Sequence, residues 1–131
     1  MTRLLHYGLG EIVDRLTILA LKLQHDVGDK QTFEKERRDL ISMIAPQTAS
    51  TIPEWADLAN VNNQLWQAED KMREYRGRKL RLTTHDHFDI SELGMQCQAL
   101  NDDRSQLIAS INLSQGDGHA EKGTRTTDSL P

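Results

Sequence analysis

The chain has one cysteine, three prolines, and only 5% aromatic residues in 131 positions. A lone Cys97 leaves no partner for an internal disulfide, and at this length a single apolar core forms without a metal or a cross-link to hold it. Long apolar runs are missing too. The longest extends from Ile18 to Leu21 and closes at Lys22, far short of the roughly 20 residues that span a bilayer. Glu11, Asp14 and Arg15 interrupt what would have to be the apolar centre of a signal peptide, so the expectation is a cytoplasmic protein that makes no membrane contact. An excess of positive charge is also lacking. The formal net charge of −4 argues against nucleic-acid binding through a whole-protein field.

What is present is helical periodicity. Leu9, Ile12, Val13, Leu16, Leu19, Ala20, Leu23 and Val27 recur at three- and four-residue steps, which predicts a helix that Gly28 stops in a left-handed conformation. Ile18 and Leu21 fall outside that stripe, so this helix is expected to sit centrally and touch neighbours on more than one side. A short second helix follows Thr32 as its N-cap and carries Phe33, Leu40, Ile41 and Ile44 among dense charge, until Pro46 ends it. Thr51-Ile52-Pro53-Glu54 reads as a capping box at the start of a long third helix. No breaker follows until Gly77, which allows about 25 residues and ~37 Å. Arg78 to His87 reads as a connection and Asp89-Ile90-Ser91-Glu92 as a further capping box. The fourth helix then carries Ile90, Leu93, Cys97, Leu100, Leu107, Ile108 and Ile111. From Ser114 onward glycine, serine, threonine and charge dominate, the composition of a disordered tail.

The expected architecture is therefore all-α: an up-down helical bundle over residues 1–113, dominated by a long antiparallel hairpin, with 114–131 as a tail. Polar residues interrupt its apolar stripes. Leu58, Asn62, Leu65, Glu69, Met72 and Arg76 follow one seam of the third helix, and Leu93, Cys97, Leu100, Arg104, Leu107 and Ile111 one seam of the fourth, with Trp66 and Asn101 beside them. A hairpin turning between Lys79 and Ile90 brings Glu69 level with Leu100 to Arg104, so a Glu69–Arg104 pair is expected. Such a pair can simply fix helix register. Asp70, Arg73, Asp102 and Asp103 crowd the same level, so a ligand can alternatively replace some internal partners. In the first helix Glu11 and Asp14 are first-turn acids that complement the helix dipole, and Thr17 returns a hydrogen bond to its own backbone. His85-Asp86-His87-Phe88-Asp89 has the composition of metal ligands without the spacing or a second cluster, and reads as a solvated loop. Gly8 and Gly10 follow no strand and make no phosphate-binding fingerprint.

Gly10 to Leu19, Asn62 to Asp70 and Asn101 to Arg104 together resemble a small uncharacterised family of bacteria and phages. Its pattern is G-E-L/I-I/V-D-K/R-I/L-S/T-I-L, then N-x-x-L-W-x-x-E-D-x-x-R, then N-D-x-R. The likeness spans roughly residues 8 to 113 and leaves out the tail and the His85 to Asp89 segment. The second half is also similar to another uncharacterised helical family with an L-W-x-x-E-D and N-D signature. The resemblance implies a setting beside glycosyltransferases and surface-polysaccharide genes, and its motifs contain the inward polar residues named above.

Three functions compete at this point. The first is a binding or accessory protein in which Glu11, Asp14, Asn62, Glu69, Asp70, Asn101, Asp102 and Arg104 surround a small polar or phosphosugar-like ligand, with Trp66 as a stacking face and no cofactor. The second is a magnesium-dependent nucleotide or nucleotide-sugar pyrophosphohydrolase using Glu11, Asp14, Glu69 and Asp70. Against it, Glu69 and Asp70 are adjacent and diverge around their helix. The third is a homo-oligomeric structural bundle with no ligand.

Overall fold

The computed structural model describes residues 8–44, 52–78 and 81–114. Among them are four α-helices and no strand: α1 (Leu9–Gln24), α2 (Lys30–Ile41), α3 (Glu54–Gly77) and α4 (Thr84–Ser114). The helices run up, down, up and down, with α3 and α4 forming the most extensive pairing and α1 packed against the other three. The expected all-α hairpin-dominated bundle and the central first helix are both found.

Three apolar clusters follow the chain order. Ile12, Leu16 and Leu19 of α1 meet Leu40 and Ile44 at the α2 side. Val13 meets Ile52, Leu58 and Ile111, and farther along the hairpin Val61 and Leu65 meet Leu100. The α1–α4 crossing is close because Gly10 has no side chain: a Cβ there would stand 2.3 Å from the Ile108 carbonyl oxygen. Gly8 and Gly10 thus serve packing.

The ends of the helices differ from the sequence expectation in informative ways. α1 stops at Gln24, before Val27, and the chain then takes positive φ at both Asp26 and Gly28. Asp29, not Thr32, caps α2: its carboxylate accepts from the Gln31 and Thr32 backbone N–H groups, and the Thr32 hydroxyl donates to it. Those bonds hold the Asp29 carboxyl below its usual range. Pro46, expected to end α2, and Thr51 of the expected capping box lie outside the described residues. So does the expected tail beyond Ser114.

α4 begins five residues before Asp89. Its cap is Thr83 with Asp86, where the Thr83 N–H donates to the Asp86 carboxylate at 3.0 Å and the Asp86 N–H to the Thr83 hydroxyl at 3.1 Å. The His85 to Asp89 segment is therefore helical rather than a loop. This early start shifts the hairpin register. Tyr75 donates to Asp89 at 2.8 Å and Ser110 to Glu54 at 2.8 Å, so Glu69 falls near the level of Cys97, about two turns from Arg104.

At 1.5 Å per residue α1 is about 24 Å long and α4 about 46 Å, so the hairpin outruns α1. The overhang begins where His25, just past α1, stacks on Trp66 with ring centroids 4.7 Å apart. Beyond that stack α3 and α4 hold each other through Tyr75 and Asp89, and the hydrogen bond to that carboxylate pushes the Tyr75 hydroxyl above its ordinary value.

Candidate functional site

Three helices converge on Asp14, one turn inside α1. Its position between Val13 and Leu16 carries it inward along with the apolar stripe, and it is only 7% exposed. An isolated carboxylate there would be costly. The structure supplies a forked partner: Arg104 Nε donates to Oδ1 at 2.8 Å and Nη2 to Oδ2 at 2.6 Å. From α3, the Asn62 amide donates to Asp14 Oδ1 at 2.9 Å and to the Thr17 hydroxyl at 2.7 Å. Thr17 completes the circuit by donating to the Asp14 backbone carbonyl at 2.7 Å. Asn62 and Thr17 are each 4% exposed. The Asp14 hydrogen bond, set against partial burial, raises the Arg104 pKa, with smaller support from the charges of Asp14 and Glu69.

The expected Glu69–Arg104 pair does not form: the guanidinium is committed to Asp14, and Glu69 is exposed, acting on Arg104 and on the Cys97 thiol through its field alone. Burial first, and Glu69 second, push that thiol above its usual value. Asp14 is a buried network member rather than an ordinary first-turn acid. Thr17 has a second role, as acceptor for Asn62.

The remaining candidates lie apart from this network. Glu11 is exposed and accepts from the Asn112 amide at 3.1 Å, while Asn112 Oδ1 accepts the Gly10 N–H at 2.7 Å and so satisfies a free donor at the start of α1. Asp70 pairs with Arg73 on the surface. Asn101 and Asp102 are exposed, and one face of Trp66 is covered by His25. The four acids of the magnesium-hydrolase reading therefore do not converge: Glu11, Asp14 and Asp70 each answer a different partner, and Glu69 stands in water. Among the described residues no group of three or more His, Cys, Asp or Glu side chains is arranged to hold a metal ion.

A different concavity opens beside the network. A trough of about 400 Å³ lies between α1, α2 and α3, with Leu16, Ala20, Leu21, Ile41, Trp55 and Ala59 as its apolar lining. Gln24, Asn63 and Arg37 are polar side chains of its lining, and the buried Thr17 borders it. Among the described residues the ion-pair partner of Arg37 is Glu34, at 3.8 Å, and both side chains are about half exposed. Asn63 and Trp55 were missed because neither interrupts an apolar stripe, the signal that marked Asn62. Arg37 was hidden in the charge-rich face of α2.

No protein-family model, curated protein or solved structure matches this chain. The described residues form a four-helix bundle in which buried polar side chains of α1 and α3 and the partly buried Arg104 of α4 make an inter-helical ion pair and hydrogen bonds, and in which no helix is long and apolar enough to cross a membrane.

Proposed function

We propose that the protein is a small helical binding or accessory protein whose Asp14–Arg104–Asn62–Thr17 layer is the frame, and that a small phosphosugar-like ligand occupies the neighbouring trough. The observation that supports this reading is the make-up of the trough. Trp55 offers an aromatic face for the apolar side of a sugar ring, Arg37 a half-exposed guanidinium for a phosphate, and Gln24 and Asn63 donors and acceptors for hydroxyls. Its volume of about 400 Å³ is within the range of small-ligand sites. The buried layer is a poorer receptor, because both Asp14 oxygens are already bonded. The resemblance to a family found beside glycosyltransferase and surface-polysaccharide genes supports the same ligand class and a role in that metabolism. On this reading the protein works in the cytoplasm.

Calorimetric titration with glucose 1-phosphate and with a nucleotide sugar tests the proposal, with free glucose and inorganic phosphate as controls. Saturable binding of the phosphosugars that weakens in Arg37→Ala and Asn63→Ala is expected. Absence of binding, or binding indifferent to both substitutions, would overturn it.

A further inference from the structure

We propose that the outer face of α4 is a docking seam for an amphipathic helix with basic flanks, contributed by another protein. Phe88, Met95 and Leu113 are 61%, 65% and 83% exposed. Single exposed apolar residues are ordinary; these are aligned. Phe88, Met95, Ala99, Asp102, Gln106 and Leu113 all fall on one register of alternating three- and four-residue steps, and all six are exposed. They lie on a different side of the helix from Leu100 and Ile111, which are buried in the bundle. α4 thus carries large apolar side chains, interspersed with acids, on an exposed side as well as on the side buried in the bundle. A stripe of this period on a helix about 46 Å long has the geometry by which a second helix is recognised.

Charge selects the occupant. α4 carries five acids, Asp86, Asp89, Glu92, Asp102 and Asp103, against one arginine, and that arginine is turned inward onto Asp14. Glu92, Asp102 and Asp103 stand exposed on or beside the stripe with no lysine or arginine of α4 to answer them. A helix bearing lysine or arginine at its flanking positions gains from every one of these acids. A second copy does not: the antiparallel pairing that sets Phe88 against Leu113 of the second copy brings the Asp102 carboxylates of both copies together around the two-fold axis. An anionic membrane surface is repelled by the same acids. The seam shares no residue with the trough of the proposed ligand site, so either can fail without the other.

The probe is a synthetic fluorescent peptide of about three heptads, with leucine in its a and d seam and lysine at e and g. It is titrated by anisotropy into the full chain at low and at moderate salt. The lysine peptide should bind and weaken with salt, while the same peptide with glutamate for lysine should not bind. Phe88→Ser with Met95→Ser should weaken binding about tenfold or more, as should Asp102→Lys with Asp103→Lys. These side chains are exposed, and circular dichroism verifies that the variants stay folded. Equal binding of both peptides, equal binding of a scrambled lysine peptide, or indifference to the paired substitutions would overturn the proposal. So would sedimentation showing a dimer that Phe88→Ser and Met95→Ser dissolve, which assigns the seam to a second copy, or binding of anionic vesicles through the same residues.

Discussion

Arg104 reaches Asp14 across 90 positions of sequence and engages both carboxylate oxygens, at 2.8 and 2.6 Å. This bidentate contact ties α4 to α1 at the level where Asn62 ties α3 to the same carboxylate. One acid therefore sets the mutual height of three helices, the kind of specificity a forked guanidinium supplies better than an ammonium would.

Breaking the pair from one side should cost more than removing it whole. Arg104→Leu strands a nearly buried carboxylate with Asn62 as its remaining side-chain donor, and a loss of roughly 2–4 kcal/mol is expected, below the fully buried limit because a third of the Arg104 side chain is exposed. Asp14→Leu should cost less, since Arg104 can turn its head to water. The double substitution should recover part of the loss. Urea denaturation of the four proteins measures the coupling, and a value under about 0.5 kcal/mol contradicts the contact. Glu69→Gln, by contrast, should change stability by no more than about 0.5 kcal/mol, as a surface substitution does.

Much of this arrangement was legible in the sequence, and what was not has physical causes. The helix count, the hairpin, the central α1 and the inward placement of Asn62 and Arg104 follow from periodicity, because apolar side chains must share a face for the chain to bury them. The partner of Arg104 did not follow. Pairing across the hairpin depends on where α4 begins, and the Thr83–Asp86 cap that sets it lies in a segment whose histidines and aspartates carry no apolar period. Starting α4 at Asp89 slid the two helices by more than a turn and left Phe88 off the helix, which also hid the outer stripe. Asp14 was misread for a different reason: an acid in a first turn has a sufficient local explanation, and only the approach of α3 and α4 overrides it.

Gly10→Ala should destabilise the protein by about 1–3 kcal/mol, because the new methyl meets a backbone carbonyl at 2.3 Å and backbone cannot swing aside. Gly94→Ala is the matched control. A Cβ at Gly94 meets nothing within 4 Å, and in a helix interior the change should stabilise by roughly 0.5–1 kcal/mol. Thermal melts of both variants test the close α1–α4 crossing, which is absent if the two shift in the same direction.

Glu36 supplies an acid-sensitive contact at the other side of α1. Its hydrogen bonds with Arg15, at 2.7 and 3.0 Å, hold its pKa below the ordinary 4.5, assisted by the charges of Arg15 and Lys22 and opposed by partial burial. A depressed carboxyl pKa contributes stability above the unfolded value, and that contribution disappears as pH falls through the folded one. Glu36→Gln should therefore be less stable than the parent at pH 7, with the gap closing from about pH 4.5 downward. Denaturation midpoints measured between neutral pH and pH 3 decide it, and a gap constant over that range means that Arg15 does not bias the ionisation of Glu36.

The most direct probe of the buried layer is Asn62→Asp, which keeps the size of the side chain and replaces the amide that donates to Asp14 with a second carboxylate facing it. Two carboxylates at hydrogen-bond distance cannot both ionise cheaply, so the introduced acid should hold its proton in the folded state well above the pKa of about 3.9 it has when unfolded. The folded protein then binds the proton more tightly than the unfolded chain does, and stability falls as pH rises. Little loss is expected below about pH 4, a growing loss through the window up to the raised folded pKa, and a plateau above it of roughly 3 kcal/mol or more. Asn62→Ala removes the same donor without adding charge and should lose stability with no such pH window. If the two variants instead show parallel pH profiles, the residue 62 side chain does not face Asp14, and the three-helix network centred on that carboxylate is not formed.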